Sequence, residues 1–174
     1  MPGFIINGTG GPGPAHTVET RRKHRWAWSA MGLGGGSFST EVLLLLKEAS
    51  RPHPVFNRAE LHHNQEQAYF AGKHYWEPIR LVWYDAEQPN DASKQVWDWV
   101  ESVCKISAVT LPRPNSYKVE GKLEMLDGAG GANETWAMYG CWPHDPNWGG
   151  LDYADTDIAQ LEVTISVDRC VKTK

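Results

Sequence analysis

A glycine-rich segment near the start of the chain has the spacing of a nucleotide-binding loop. Residues 8–13 are Gly-Thr-Gly-Gly-Pro-Gly, which matches GxGxxG. A dinucleotide site also needs a strand before the loop and a helix that opens at its end. The apolar run before the loop is very short, and residues 17–23 have no apolar helical face. This context favours a flexible arm over a cofactor site.

Two clusters carry side chains of the kinds that bind metal ions. One has three histidines (His62, His63, His74) and the other has three aspartates (Asp152, Asp155, Asp157). Adjacent histidines on a strand point to opposite faces, which opposes a shared metal. The aspartates lack the glycine and the terminal glutamate of an EF-hand. We therefore expect no metal and no cofactor, and we interpret the aspartates as part of a solvated acidic loop.

The composition limits the class of protein. The chain has 174 residues, with 17 Lys and Arg against 21 Asp and Glu, which gives a net charge of -4. This balance disfavours a basic nucleic-acid-binding domain, because such binding depends on neutralising phosphates. No apolar run reaches the roughly 20 residues of a membrane helix, and the first residues do not have the pattern of a secretory signal. We expect Cys104, Cys141 and Cys170 to be reduced thiols in or near the core.

The hydrophobic pattern indicates one helix and several strands. The helix covers about residues 91–105, and the side chain of Asn90 or Asp91 can cap its first turn. Strand patterns cover residues 24–30, 76–84, 117–125, 135–142 and 160–168, and residues 61–72 suit an extended hairpin. Residues 143–157 are interpreted as a longer loop. The leucine run in residues 41–49 suits a helix or a buried strand equally well.

These elements predict a mainly β fold. The strands flank a single helix and have no βαβ rhythm, so we expect an antiparallel β-barrel or sandwich with one packed α-helix. Residues 1–20 are rich in Gly and Pro and are predicted to form an N-terminal arm. Residues 21–174 are predicted to form one β domain.

Residues 69–85, Tyr-Phe-Ala-Gly-Lys-His-Tyr-Trp-Glu-Pro-Ile-Arg-Leu-Val-Trp-Tyr-Asp, resemble the tail-tube proteins of contractile-tailed bacteriophages. In that family, which is related to the tubes of contractile injection systems and type VI secretion, a Gly-Lys turn leads into a strand that starts with Pro-Ile and ends with Asp. A helix follows, here with Val96-Trp97-Asp98-Trp99. The closing hairpin and last strand resemble residues 122–127, 136–142 and 157–168. The likeness covers roughly residues 22–170.

The resemblance implies a structural protein and not an enzyme. Six copies would form a ring, and rings would stack into a hollow tube inside a contractile sheath, which penetrates the host envelope and conducts DNA during ejection. The implied partners are further copies of the chain, the sheath, the tape measure protein, the baseplate and the tail terminator. DNA would pass the lumen without specific binding. The implied location is the virion tail, assembled in the host cytoplasm without a membrane anchor.

The resemblance also suggests which residues face the channel and which contact other subunits. The region that contains residues 41–49 is a strand in the family, so a strand is preferred there. Candidate lumen-facing residues are the alternating polar positions Gln160, Glu162, Thr164, Ser166, Lys118, Glu120, Lys122 and Glu124, of which the Gln160 set is favoured. Candidate inter-subunit residues are Leu44, Leu46, Phe56, Tyr69 and Trp148. A face with charges of both signs, such as the Lys118 set, suits the outer surface equally well.

Other functions compete with this interpretation. A tube-initiating baseplate protein or an injection-system tube subunit would have almost the same sequence pattern. A carbohydrate-binding β-sandwich is suggested by Trp142, Trp148 and Tyr153 near one loop. A small β-rich hydrolase is the third alternative, although the chain has no Gly-x-Ser-x-Gly motif.

Overall fold

The computed structural model describes residues 21–31, 38–87 and 91–173. The predicted arm of residues 1–20 and most of the Gly-rich turn of residues 31–37 lie outside this part of the chain. In chain order the elements are β1 (Trp26–Met31), α1 (Thr40–Leu44), β2 (Leu46–Ala49), β3 (Pro54–His63), β4 (Glu66–Trp76), β5 (Ile79–Tyr84), α2 (Ala92–Val103), a 3-10 turn (Pro114–Ser116), β6 (Val119–Leu126), β7 (Ala132–Asn147), β8 (Gln160–Ser166) and β9 (Arg169–Lys172).

Seven of these strands form one antiparallel sheet. Their order is β1-β6-β7-β8-β5-β2, and β9 also pairs with β7. β3 and β4 pair only with each other and form a separate two-stranded sheet. The predicted mainly β, antiparallel fold is therefore confirmed. The sheet is not closed into a barrel, because β1 and β2 stand at its two ends.

The large sheet bends where β7 passes Gly140. β7 pairs with β9 as far as Tyr139 and with β6 as far as Cys141, and from Trp142 onward it pairs with β8. β8 and β9 thus act as one strand that is interrupted at residues 167–168, opposite the bend. Gly140 has φ +69°, and the Asp168 side chain occupies the space that a Cβ at residue 140 would need. The backbone N–H of Asp168 donates to the Tyr139 carbonyl over 3.1 Å.

The inner faces of both halves of the sheet pack on a common core. Leu123 and Met138 come from one half, and Leu81 and Val163 come from the other. An aromatic cluster lies at the centre of this core. Its rings belong to Trp28, Phe38, Trp83 and Trp99, with centroids 5.7 to 6.4 Å apart in the contacting pairs. The fold is therefore stabilised mainly by burial of apolar area between the bent sheet and the elements that cover it.

Helix α2 covers the core as its sequence pattern predicts. The carboxylate of Asp91 caps the helix and accepts a hydrogen bond from the Lys94 backbone N–H over 2.8 Å. Ala92, Val96 and Trp99 are buried. None of the helices among the described residues has the length and apolarity that a bilayer-spanning segment requires.

The leucine run splits between two elements, and a second helix is therefore present. The strand preference is correct for β2 and wrong for α1. The Ser39 hydroxyl accepts a hydrogen bond from the Val42 backbone N–H over 3.4 Å, which favours a helical turn at the start of the run. β2 is extended because it pairs with β5, and Ala49 lies opposite Leu81.

The interpretation of residues 143–157 as a loop is wrong at its start. β7 continues to Asn147, through Pro143 and Pro146. This stretch pairs with β8 on one side, while β6 pairs with β7 only as far as Cys141. A proline lacks an N–H, and a strand with one free side tolerates it. The loop itself comprises residues 148–159.

Candidate assembly surfaces

The hairpin of β3 and β4 extends from the rest of the chain. It turns through Asn64 and Gln65, and Asn64 has φ 52°, a value that asparagine tolerates better than most residues. A ten-residue strand spans about 33 Å. Nearly every residue of the two strands is exposed. The extended hairpin that the sequence predicts is therefore present, and the other described parts of the chain leave most of its surface exposed.

The two faces of the hairpin have different chemistry. On one face Ala59 lies opposite Phe70 and Leu61 lies opposite Ala68, and Leu61 and Phe70 are both more than half exposed. Leu61 and Phe70 were not among the predicted contact residues, although apolar residues alternate at 59 and 61 and at 68 and 70. This alternation is the signal that predicts an apolar strand face.

Tyr69, a predicted contact residue, lies on the other face of the hairpin. The Arg58 guanidinium stacks 4.3 Å from the centre of the Tyr69 ring and donates to the Glu60 carboxylate over 2.6 Å. This face is therefore polar and partly satisfied within the chain. Tyr69 and Phe70 offer different surfaces to any partner.

The other predicted contact residues lie at separate places. Leu44 is 80% exposed and Leu46 is half-buried. Both line a cavity of about 570 Å³ that also borders β1, so this cavity lies between the two end strands of the sheet. Phe56 is exposed in β3, beside the ring of His74. Trp148 is half-buried, with its ring 5.5 Å from that of Trp97. The structure does not bring the five residues into one patch.

The predicted lumen residues on β8 form a polar face. Leu161, Val163 and Ile165 are buried, and the residues between them are exposed or half-buried. The Arg80 guanidinium on β5 bonds to Glu162 over 2.7 Å and to Glu48 over 3.0 Å. The hydrogen bond from Arg80 holds the pKa of the Glu162 carboxyl below its usual value. The Lys47 ammonium donates to the Gln160 side chain over 3.1 Å.

The predicted lumen residues before and on β6 belong to a second polar face. Lys118 binds Asp168 over 2.6 Å, and Lys122 binds Glu124 over 2.7 Å. Because the two halves of the sheet turn their inner faces toward one core, their outer faces point in different directions. The Gln160 set and the Lys118 set are therefore not brought together on one surface.

Some members of the clusters considered for ligand chemistry have partners within the chain. The Asp152 and Asp155 carboxylates accept hydrogen bonds from the backbone of their own loop. Trp142 packs against the ring of Tyr117, as Trp148 does against Trp97, so these rings are partly occupied as stacking surfaces. In residues 21–31, 38–87 and 91–173, no group of three or more His, Cys, Asp or Glu side chains is arranged to hold a metal.

The three cysteines are free thiols. Burial raises the pKa of the Cys141 thiol to about 12 and that of the Cys170 thiol to about 11. Cys104 is half-buried at the end of α2. The two buried thiols therefore act as small core side chains.

Comparisons with known proteins bear on the fold. Neither a family model nor a curated protein sequence matches this chain. A chain in the cryo-EM structure of the anti-feeding prophage cap, which terminates the tube, matches with a TM-score of 0.70 and 15% identity over 93% of this chain and 96% of that one. The chain has the tail-tube fold.

Two further structures give the same fold from other parts of such particles. A chain of the sheath–tube complex of the extracellular contractile injection system PVC matches with a TM-score of 0.66 and 16% identity, over 88% of this chain and 91% of that one. A chain of the anti-feeding prophage baseplate matches with a TM-score of 0.67 and 10% identity, over 90% and 97%.

Proposed function

We propose that this chain is a non-enzymatic structural subunit of the tube of a contractile tail, in which six copies form a ring and rings stack into a hollow tube inside a sheath. The observation that carries the proposal is the β3–β4 hairpin. A two-stranded sheet is marginally stable alone in water, and here it exposes Leu61 and Phe70 on one face. A neighbouring copy that covers this face would remove apolar area from water and hold the hairpin in place.

The ends of the large sheet support association of copies. Within the described residues, β1 pairs only with β6 and β2 pairs only with β5. Each end strand therefore leaves backbone groups without a partner strand, and such edges favour pairing with another chain. Leu44 and Leu46 line the cavity between these two end strands. The contacts predicted for both residues therefore belong to the same proposed subunit boundary.

We assign the channel wall to the β8 face, with Gln160, Glu162, Thr164 and Ser166. Two carboxylates bind the Arg80 guanidinium there, so its charge is compensated. A wall with compensated cations would let DNA or another cargo pass without salt-sensitive adhesion to phosphates. The face with Lys118, Glu120, Lys122 and Glu124 would then lie on the outside of the ring.

The compared structures support the proposed partners by the particles they come from: a tube-terminating cap, a sheath–tube complex and a baseplate symmetrised six-fold. Sheath, baseplate and terminator proteins are accordingly the proposed neighbours, with a tape measure protein inside the tube. The proposed location is the tail of a virion or of a related injection particle.

A second candidate is a ring at one end of the tube. The similarity to a cap that terminates a tube and to a baseplate chain favours it. A tube subunit must bind copies on both sides of its ring, whereas an end protein stops after one ring or initiates growth. The length of the assembly that purified protein forms separates these two roles.

Negative-stain electron microscopy of the purified protein at increasing concentration tests the proposal. Long hollow tubes with six-fold rings are expected. Single rings that do not stack would support the end-of-tube role. Isolated small particles at all concentrations would contradict both.

A further inference from the structure

A basic groove lies beside the start of β1. It encloses about 250 Å³. Four cationic side chains line it, and its floor is apolar. The cations are Arg21, Arg22, Lys23 and Arg51, and the floor is formed by Trp26, Ala49, Leu123 and Met125.

The cations of the groove are only partly compensated. Arg21 and Arg51 bind the buried carboxylate of Glu134, which Lys172 also approaches to 3.5 Å. Three cations thus share one negative charge. Arg22 and Lys23 are exposed, and neither forms an ion pair with any of the described residues. The groove therefore carries a net positive charge and fits an acidic partner that also has apolar side chains.

The loop between β7 and β8 has the complementary composition. It carries Asp152, Asp155 and Asp157, and no Lys or Arg occurs anywhere between residues 122 and 169. Leu151 is 93% exposed, and Tyr153 is fully exposed. A connection of twelve residues is longer than most in a folded domain, and binding residues are often found on such surface loops.

The groove and the loop are far apart along the strand that connects them. Glu134, beneath the groove, stands near the start of β7, and Asn147 at its end leads into the loop. Thirteen residues of strand cover about 43 Å of chain path. The groove and the pocket beside the loop have no lining residue in common. A second copy of the chain would therefore offer an acidic loop to the basic groove, and a basic groove to the acidic loop.

We infer that the acidic loop of one copy docks in the basic groove of the next, with the aspartates beside Arg22 and Lys23 and an exposed apolar side chain of the loop on the floor near Trp26. This inference rests on the proposed function, since it names a contact between copies of the tube. The contact is heterologous, because two different surfaces meet, and such contacts propagate rings or stacks. Charge complementarity would steer association and fix the register of the copies.

Charge reversal on each side tests the contact. The groove variant combines Arg22→Glu and Lys23→Glu and leaves Arg21 and Arg51 in place, because these bind Glu134. The loop variant combines Asp155→Lys and Asp157→Lys. Each variant is expected to raise the protein concentration at which assemblies appear by about tenfold or more, measured by sedimentation and electron microscopy.

Rescue separates docking from general damage. A chain with both pairs of reversals, and an equimolar mixture of the two variants, should each assemble near the wild-type concentration. The matched control combines Asp98→Lys and Glu101→Lys on the exposed side of α2 and should leave assembly unchanged. Wild-type assembly should also weaken from about 50 mM to about 500 mM NaCl, because salt screens exposed charges.

The outcomes distinguish the inference from the function on which it rests. Wild-type protein that never assembles would contradict the proposed function. Wild-type tubes that are insensitive to salt, or groove and loop variants that assemble like wild type, would overturn the docking alone. If the groove variant assembles normally but loses binding of a short DNA duplex, the groove serves nucleic acid and the inference is wrong. If one of the two variants does not fold, as judged by circular dichroism, the concentration dependence of assembly of the other variant decides.

Discussion

The Trp136 indole N–H donates a 2.6 Å hydrogen bond to the carboxylate of Glu134, two residues earlier on β7. Glu134 is only 2% exposed, and Arg21, Arg51 and Lys172 surround its carboxylate. These three cations come from the segment before β1, the segment after β2 and the end of β9. One buried charge therefore ties three distant parts of the chain together.

Replacement of Glu134 should destabilise the fold. Glu134→Ala leaves the indole N–H without its acceptor and removes the shared anion, so we expect the free energy of unfolding to fall by about 3 kcal/mol. Urea denaturation measures this change. Glu124→Gln, which removes a more exposed partner of Lys122, is the control and should cost less than about 1 kcal/mol. Equal effects of the two substitutions would show that the buried cluster contributes no more than a surface pair.

The same carboxylate predicts a dependence on pH. The Trp136 hydrogen bond, followed by the charges of Lys172 and Arg21, lowers the pKa of Glu134 from its ordinary value of 4.5, against the opposing effect of burial. Ionised Glu134 therefore stabilises the fold above about pH 4.5, and its contribution is lost as the pH falls through the lowered pKa. The stability difference between wild type and Glu134→Gln should shrink in acid. A difference that is constant from neutral pH to about pH 3 would contradict this.

Gly140 should not tolerate a side chain. Its φ of +69° strains any L-residue, and an alanine Cβ would overlap the Asp168 carboxylate. Gly140→Ala should lower the free energy of unfolding by roughly 3 kcal/mol. Gly130→Ala is the matched control, because Gly130 has φ +88° with open space around it, and should cost about 1 kcal/mol. Similar decreases in the free energy of unfolding at both positions would contradict this prediction, because they would show that the Asp168 side chain moves aside without destabilising the fold.

The apolar face of the hairpin should matter for assembly and not for folding of the monomer. Leu61→Ser combined with Phe70→Ser should change the free energy of unfolding by less than about 0.5 kcal/mol, because both side chains are exposed, and should abolish tubes. His62→Ser combined with Gln67→Ser changes the opposite face and is the control. If the first variant melts far below wild type, those side chains pack within the monomer, and the proposed contact fails.

Leu44 tests the boundary at the ends of the sheet. Leu44→Asp should leave a folded monomer and no tubes in negative-stain images, since the charge would be buried between copies. Leu111→Asp, at a residue that is 81% exposed, serves as the comparison and should still form tubes. Unchanged tubes from Leu44→Asp would remove this residue from the proposed boundary.

Local periodicity predicted the elements that bury one face. α2, β6 and β8 each alternate buried and exposed residues with the period of a helix or a strand. The leucine run has no alternation of apolar and polar residues. The start of its strand is therefore decided by pairing with β5 and not by the local sequence. The sequence pattern does not predict β9, because the polar residue Asp168 indicates that the preceding strand ends there. The chain nevertheless pairs with β7 again immediately after Asp168.

At the candidate surfaces, many contacts depend on tertiary structure and could not be predicted from the sequence. The alternation on β8 predicted a polar face, but no local pattern shows that Arg80 would lie between Glu48 and Glu162. The basic groove joins Arg22 and Arg51, which are distant in sequence and meet only because β1 and β2 border one opening. The predicted contact residues include Tyr69 and not Phe70, and the register of the hairpin places these two residues on opposite faces.

The burial of Cys141 and Cys170 has a practical consequence. Thiol-directed dyes react with the thiolate, and a raised pKa together with burial leaves little of it at neutral pH. Cys104, at the end of α2, is the more accessible of the three. A maleimide fluorophore should therefore label the native chain at one position, so that the proposed assembly can be followed optically without an engineered attachment site.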